Sequence, residues 1–366
     1  MRFVFLSYNY SPDIDSPENW FGRVSPYIGS LECLAKENEI IRIEQINYKG
    51  KLINNGIQYF FEDYGKKKLY FPRSLHRFVK SLKPDIVVVN GTHYPLQTIQ
   101  LRSSLGRKAK IIVQHHAEKP FYGIKKYLQW WASLTVNAYL FASREMGLEW
   151  TEKGNISSAQ KIHEVMEVSS FFYVTDRLQA RGETKAEGSP VFLWVGRLNQ
   201  NKDPMTVVNA FLEFLSIHSA ARLYMLYHTD ELLEAIKSLL ANDPRNKNKI
   251  SLIGRVAHDE MMDWMNSADF IVSGSHYEGS GTAVCEAMSC GCIPVVTNIF
   301  SFRAMTNYGE CGILYEPGNE LALLSALKQT MQMNTEAEKN KVLQQFRKKL
   351  SFDAIAAKIQ EVAASL

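Results

Sequence analysis

The stretch Ser275-His276-Tyr277-Glu278-Gly279-Ser280-Gly281-Thr282-Ala283-Val284-Cys285-Glu286-Ala287-Met288 decides how this chain is read. Two glutamates stand eight residues apart across a loop of small residues. Gly279 and Gly281 let the backbone approach a ligand closely. A helix predicted to start near Thr282 turns unpaired N–H groups and the positive end of its dipole toward that loop. Such an end suits a phosphate. Glu278 at the loop mouth and Glu286 one turn into the helix would then hold hydroxyl groups on either side of it. A phosphate flanked by two polyols describes a sugar nucleotide. Carboxylates near helix starts are also plain dipole partners or caps. Against that bland reading stand the paired glycines, the Ala-Met-Ser-Cys-Gly helix end and Pro294 opening the next strand.

Outward from this stretch the chain alternates short apolar runs with helical patterns. Strands are expected at Phe3–Leu6, Ile86–Val89, Ile111–Val113 and Ala138–Ala142, then at Val191–Val195, Leu223–Leu226, Ile250–Ile253, Phe270–Val272 and Ile293–Val296. Unbroken Val/Ile/Leu runs fit strands buried on both faces of a parallel sheet. Val207, Ala210, Phe211 and Phe214 have helical spacing, with Asp203 as N-cap and Pro204 in the first turn. The fold class expected is α/β with two Rossmann-like domains and a cleft between them. The N-terminal domain spans 1–168, a polar, Gly-containing linker 169–189 and the C-terminal domain 190–350. Phe352, Ile355, Ile359 and Val362 place a terminal amphipathic helix at 351–366, which needs an apolar surface to cover.

Gly196-Arg197-Leu198 follows the strand Val191–Val195, and Lys202 comes five residues after Arg197. Both cations fall between a strand's C-terminal end and the next helix, where open α/β sheets bind ligands. Two fixed cations there would stabilise a diphosphate, above all as a leaving group. Alone, they are as readily a pair of surface cations.

These segments, with Glu286-Ala-Met-Ser-Cys-Gly-Cys-Ile-Pro-Val-Val, resemble the retaining GT-B glycosyltransferases of the group 1 family, family 4. The resemblance is strong over 190–317 and weaker before it. Glu278 and Glu286 meet the family's E-x7-E pattern, and the terminal helix is similar to one that crosses back to the N-terminal domain. The resemblance implies that Arg197 and Lys202 bind the donor diphosphate, beside Gly196. Backbone amides of Gly279, Ser280, Gly281, Thr282 and Ala283 would contact donor sugar and phosphate. Glu278 would hold a sugar hydroxyl and Glu286 the ribose hydroxyls. Arg255 lies in the loop that borders the base. Gln114-His115-His116-Ala117-Glu118 is similar to the segment carrying the family's histidine beside the donor sugar. Neighbouring strand side chains face opposite ways, so only one histidine can serve. His116 is favoured by the small and polar residues after it. The implied activity is metal-independent transfer of a sugar from a nucleotide-sugar donor to a glycan or lipid-linked acceptor, with no cofactor.

The chain also departs from the family. The usual Gly-Gly pair of the first loop is replaced by Asp13-Ile-Asp-Ser-Pro-Glu-Asn-Trp20. Tyr227-His228-Thr229 stands where a Gly-rich turn is usual, and Glu167-Val168-Ser169-Ser170 where Asn-Gly-Val is usual. Two alternatives therefore stay open: a sugar-nucleotide epimerase or phosphorylase of the same fold, and a non-catalytic sugar-nucleotide-binding regulatory subunit. Asp13-x-Asp15 falls too early for a metal-binding D-x-D, and Cys290 and Cys292 lack a second pair at zinc spacing.

Composition narrows the class. Of 366 residues, 46% are hydrophobic and 22% charged, which fits a globular protein with two cores. The formal charge of +4 does not argue for nucleic acid. Five cysteines and no visible leader lead one to expect a cytoplasmic protein with reduced thiols. A basic stretch, Lys66–Lys83, and the run Lys125-Lys126-Tyr127 to Trp130-Trp131 each suit the surface of an anionic membrane, or simply a solvated helix face.

Overall fold

Apolar runs without polar alternation become strands covered on both faces. In the computed structural model, which describes residues 1–65 and 69–366, they build two sheets. The chain divides into two units, Met1–Ser169 with Phe352–Leu366, and Ser170–Ser351.

The first unit holds β1 (Arg2–Ser11), β2 (Glu39–Ile46), β3 (Gly50–Asn54), β4 (Ile57–Glu62), β5 (Ile86–Asn90), β6 (Lys110–Gln114), β7 (Ala138–Phe141) and β8 (Ile162–Glu164). Their order is β3-β4-β2-β1-β5-β6-β7-β8. All pairs are parallel except the edge pair β3–β4. Four of these strands, β2, β3, β4 and β8, are absent from the sequence reading. In β2 the reason is clear. Arg42 and Glu44 interrupt its apolar run, yet both are buried. Arg42 Nε donates to Glu44 Oε1 at 2.7 Å, and its guanidinium lies over the Trp20 ring at 4.9 Å. Pairing lets these charges occupy a core strand.

The second unit holds β9 (Val191–Gly196), β10 (Arg222–Tyr227), β11 (Ile250–Gly254), β12 (Phe270–Ser273), β13 (Ile293–Thr297) and β14 (Ile313–Tyr315), in the order β11-β10-β9-β12-β13-β14. All are parallel. The order reverses between β9 and β12, a topological switch point. The helix Pro204–Leu215 starts as its sequence suggests: the Asp203 side chain accepts from Thr206 N at 3.2 Å. Its buried face sets Phe211 and Phe214 edge-on against Phe192 of β9.

Residues 169–189, expected as a linker, contain a helix at Arg177–Thr184. Asp176 caps it, Ala180 is buried, and Arg177 and Arg181 pair with Asp269. These contacts make the segment part of the second unit. The terminal helix Phe352–Ala364 buries Ile355, Ile359 and Val362 in the first unit. Its Phe352 ring lies on Gly29, where a β-carbon would come within 2.6 Å of it.

Alanine in a helix interior normally stabilises by roughly 0.5–1 kcal/mol relative to glycine. At position 29 the ring contact reverses the sign. Gly29→Ala is expected to destabilise by about 1–3 kcal/mol, read from the urea midpoint of unfolding. An unchanged or raised midpoint would mean that the Phe352 ring does not hold the helix there.

Candidate functional site

At the switch point the loops after β9 and β12 meet. Lys202 Nζ pairs with the Glu278 carboxylate, both groups being mostly buried. Three further bonds clamp the same two loops. His276 N donates to Asn201 O at 2.8 Å, and Asn201 Nδ2 to Tyr277 O at 3.0 Å. His276 Nε2 lies 3.2 Å from Asp203 Oδ2. Gly274 makes the approach possible, since a β-carbon there would stand 2.8 Å from the Asp203 carbonyl oxygen. Thr229, in the place of the usual glycine-rich turn, has a bond of its own: its Oγ1 accepts from Leu198 N at 2.8 Å and ties the β10 end to the β9 loop.

The loop then enters the helix Thr282–Ser289 through Gly281, at φ +66°. No side chain caps this helix. Its first bonds run from Val284 N and Cys285 N to Gly281 O, both at 3.1 Å. The N–H groups of Thr282 and Ala283 have no acceptor among the described residues. They remain available to a ligand together with the positive helix end.

Glu286 sits inside the helix, only 7% exposed. Burial raises its carboxyl above the usual range, and His258 opposes that shift. His258 Nε2 lies 3.3 Å from Glu286 Oε1, with its ring against Phe172 at 5.0 Å. His258 and Asn201 are absent from the sequence reading, and Asp203 enters it only as a helix cap, without its contact to His276. Arg197 is exposed, and no acidic side chain among the described residues pairs with it. Arg255 is exposed just after Gly254, at the end of β11.

The structure thus pairs Lys202 with Glu278 at the start of the loop 279–283, with Gly196 and Arg197 on the adjoining loop, while Glu286 lies further along the helix against His258. His116 belongs to the first unit. There His115 is fully buried, stacks on Phe141 and sets Nε2 2.8 Å from Glu118 O. His116 is partly exposed and pairs through Nδ1 with Glu167, the residue in place of the family's Asn-Gly-Val. Glu118 ties two loops, accepting from Thr92 N and His116 N, each at 2.8 Å. Burial would raise its carboxyl, but His115, His116 and these N–H donors bring it below the usual range. Among the described residues no cluster of three or more His, Cys, Asp or Glu side chains has metal-holding geometry.

Residues 176–349 match the model of the family described as glycosyl transferases group 1. Across the whole chain, similar solved structures include a glycosyltransferase from Rickettsia africae (16% identity, TM-score 0.74, covering 100% of this chain and 97% of that one). Another is the Anabaena HepE protein in complex with UDP and glucose (13%, TM-score 0.70, 100% of both chains). The fold is GT-B. The second unit is related to the group 1 glycosyl transferases. A mannosylfructose-phosphate synthase of Agrobacterium fabrum is 32% identical over 162 residues, 40% of this chain. A GDP-mannose:cellobiosyl-diphosphopolyprenol alpha-mannosyltransferase of Komagataeibacter xylinus is 28% identical over 138 residues, 32% of this chain. The matched region covers about a third of each of these curated relatives, 34% in both.

The His116–Glu167 pair has a pH signature. Burial lowers the imidazole's pKa, but the Glu167 charge and hydrogen bond outweigh it and leave the pKa raised. A raised histidine contributes stability that is complete below its unfolded value of about 6.5 and fades as pH climbs through the folded value. By NMR titration His116 is expected to titrate above about 6.5 in the native chain and below it in Glu167→Gln. Equal midpoints would remove Glu167 as the cause.

Proposed function

We propose that this protein is a nucleotide-sugar-dependent glycosyltransferase that transfers its sugar with retention, without a metal, to a glycan or lipid-linked acceptor. The observation that carries the reading is the meeting of the Lys202–Glu278 pair with the unclaimed N–H groups of Thr282 and Ala283 at a switch point. The second unit's kinship with group 1 glycosyl transferases supports it. So does the likeness to a fold solved with UDP and glucose.

A nucleoside diphosphate leaving group gains negative charge as its bond to the anomeric carbon breaks. The helix start supplies roughly half a positive charge, and Arg197 and Lys202 supply two more. Lys202 is already fixed by Glu278, so little reorganisation is needed at the moment of reaction. Glu278 then accepts from a donor-sugar hydroxyl. Glu286, held in its helix, accepts from the ribose, with His258 giving way or sharing the carboxylate. Retention follows the family resemblance. The acceptor oxygen bonds to the anomeric carbon on the face the diphosphate leaves, the electron pair departs with the phosphate, and a phosphate oxygen takes the acceptor proton. His116 beside the donor sugar rests on the resemblance alone.

The reading is tested by melting curves with UDP-, GDP- and ADP-sugars, with and without a divalent metal. One base is expected to raise the melting temperature by several degrees without metal. Arg197→Ala is expected to lower turnover by roughly 10²- to 10³-fold. Its melting temperature should barely move, because the side chain is exposed and pairs with no acidic side chain among the described residues. Collapse of stability would make Arg197 structural. Donor binding with no transfer to any acceptor and no hydrolysis would make the chain a binding protein.

A further inference from the structure

The helix Arg73–Ser81 in the first unit carries a stripe of cations. At 3.6 residues per turn Arg73, Arg77 and Lys80 fall within about 60° of one another. All three are exposed, whereas Leu75, His76 and Val79 of the same helix are buried. The helix Pro95–Leu105 runs beside it in the same direction. Its Gln97 and Gln100 donate to Leu69 O at 3.0 Å and Tyr70 O at 3.4 Å, and Ser104 Oγ donates to His76 O at 3.4 Å. This neighbour holds no acidic residue that could neutralise the stripe. Its one cation, Arg102, is spent on backbone, donating to Gly106 O and Ala109 O, each at 2.7 Å.

Further cations extend the face. The Arg102 bonds fix the turn that carries Arg107 and Lys108, both exposed. Lys110 N donates to Asp85 O at 2.9 Å, which sets that turn beside the segment of exposed Lys83. From Leu69 to Ala117 the sequence has eight Lys and Arg residues against one acid, Asp85, whose carboxylate accepts from Arg2 N at 2.7 Å. None of Arg73, Arg77, Lys80, Lys83, Arg107 and Lys108 pairs with an acidic side chain among the described residues. Lys66 to Lys68, the rest of the basic stretch, lie outside the described residues. Just before the helix, Tyr70 and Phe71 are 63% and 67% exposed. In the helix Ile124–Thr135, by contrast, Lys126 lies over Gly154, and its cations do not share a face with exposed Tyr127 and Trp131.

Charge decides what covers this face. A second copy in a two-fold contact would set the stripe against its own equivalent, cation on cation. The occupant must be anionic, and it must also receive two exposed aromatic rings. A nucleic-acid duplex offers phosphates but keeps its base faces stacked inside, and a formal charge of +4 is small for such a partner. An anionic bilayer supplies both parts: headgroup charge for Lys and Arg, and an interface in which aromatic rings lie. Among the described residues no helix is long and apolar enough to cross a membrane, so the contact would lie in the plane of the surface.

We propose that the helix Arg73–Ser81 docks on an anionic lipid bilayer. Arg73, Arg77 and Lys80 pair with anionic headgroups, flanked by Lys83, Arg107 and Lys108, while Tyr70 and Phe71 enter the headgroup–acyl boundary. The test is co-sedimentation of the full chain with vesicles of phosphatidylcholine alone and of phosphatidylcholine with phosphatidylglycerol in equal parts. Binding is expected to the anionic vesicles only, and salt weakens it. Arg73→Gln with Arg77→Gln and Lys80→Gln should weaken it roughly 10²-fold, from about 1 kcal/mol per cation. Arg73→Lys with Arg77→Lys should keep it, since a headgroup layer answers to charge and not to the guanidinium fork. Tyr70→Ser with Phe71→Ser should leave a weaker binding that less salt removes. All these side chains are exposed, so circular dichroism and melting temperature should not change. No binding to anionic vesicles at low salt, equal binding to both kinds, or undiminished binding in the glutamine variant would overturn the proposal. Tighter binding to a single-stranded DNA oligonucleotide than to anionic vesicles would give the face to nucleic acid. A dimer in sedimentation that the glutamine variant dissolves would give it to a second copy. Because the readout needs no turnover, it stands or falls apart from the proposed transferase activity.

Discussion

Everything at the candidate site depends on two loops being held against each other where the second sheet changes direction. Chain order places the β9 and β12 ends side by side, but adjacency alone would leave two mobile loops. Gly274 removes the one β-carbon that would keep them apart, and backbone bonds between Asn201, His276 and Tyr277 then fix the contact. Only after that can Lys202 reach Glu278. A unit charge pair at about 4 Å attracts by roughly 4 kcal/mol at an effective dielectric of about 20, and desolvation cancels much of it. The pair therefore contributes position more than stability. It stands a cation and a carboxylate where the two loops meet without either needing to move.

The second acid is held differently. Glu286 projects from a helix interior and is almost fully buried, so its charge costs more to maintain. Its carboxyl is raised by that burial and relieved by an exposed histidine that stacks on Phe172. One glutamate is thus fixed by a lysine of the adjoining loop, the other is met by an exposed histidine. Hydroxyl groups of a bound ligand can replace His258 at Glu286 more readily than they can separate Lys202 from Glu278.

Much of this is legible in the sequence. Parallel strands buried on both faces announce themselves as apolar runs, which is why β9 to β13 were readable. The Asp203 cap was readable because cap chemistry is local. What failed was whatever depends on distant partners. β2 hides behind Arg42 and Glu44, whose burial makes sense only once they pair under Trp20. The helix Arg177–Thr184 reads as linker because the residues that hold it, Ser267 and Asp269, lie some ninety positions away. His258 and Asn201 carry no motif of their own, and their roles exist only through loops that the fold brings together.

The departures from the group 1 pattern gain a physical reading on the same terms. Where a glycine-rich turn is usual, Thr229 spends its hydroxyl on Leu198 N and stiffens the β9 loop that carries Arg197. Where Asn-Gly-Val is usual, Glu167 holds His116. Each places a side-chain bond where the family usually has glycine. Glycine lets a loop adapt to its ligand, whereas a threonine or glutamate fixes one geometry in advance. A loop fixed in advance lowers the ordering cost for a ligand whose shape fits it and gives no such help to other shapes.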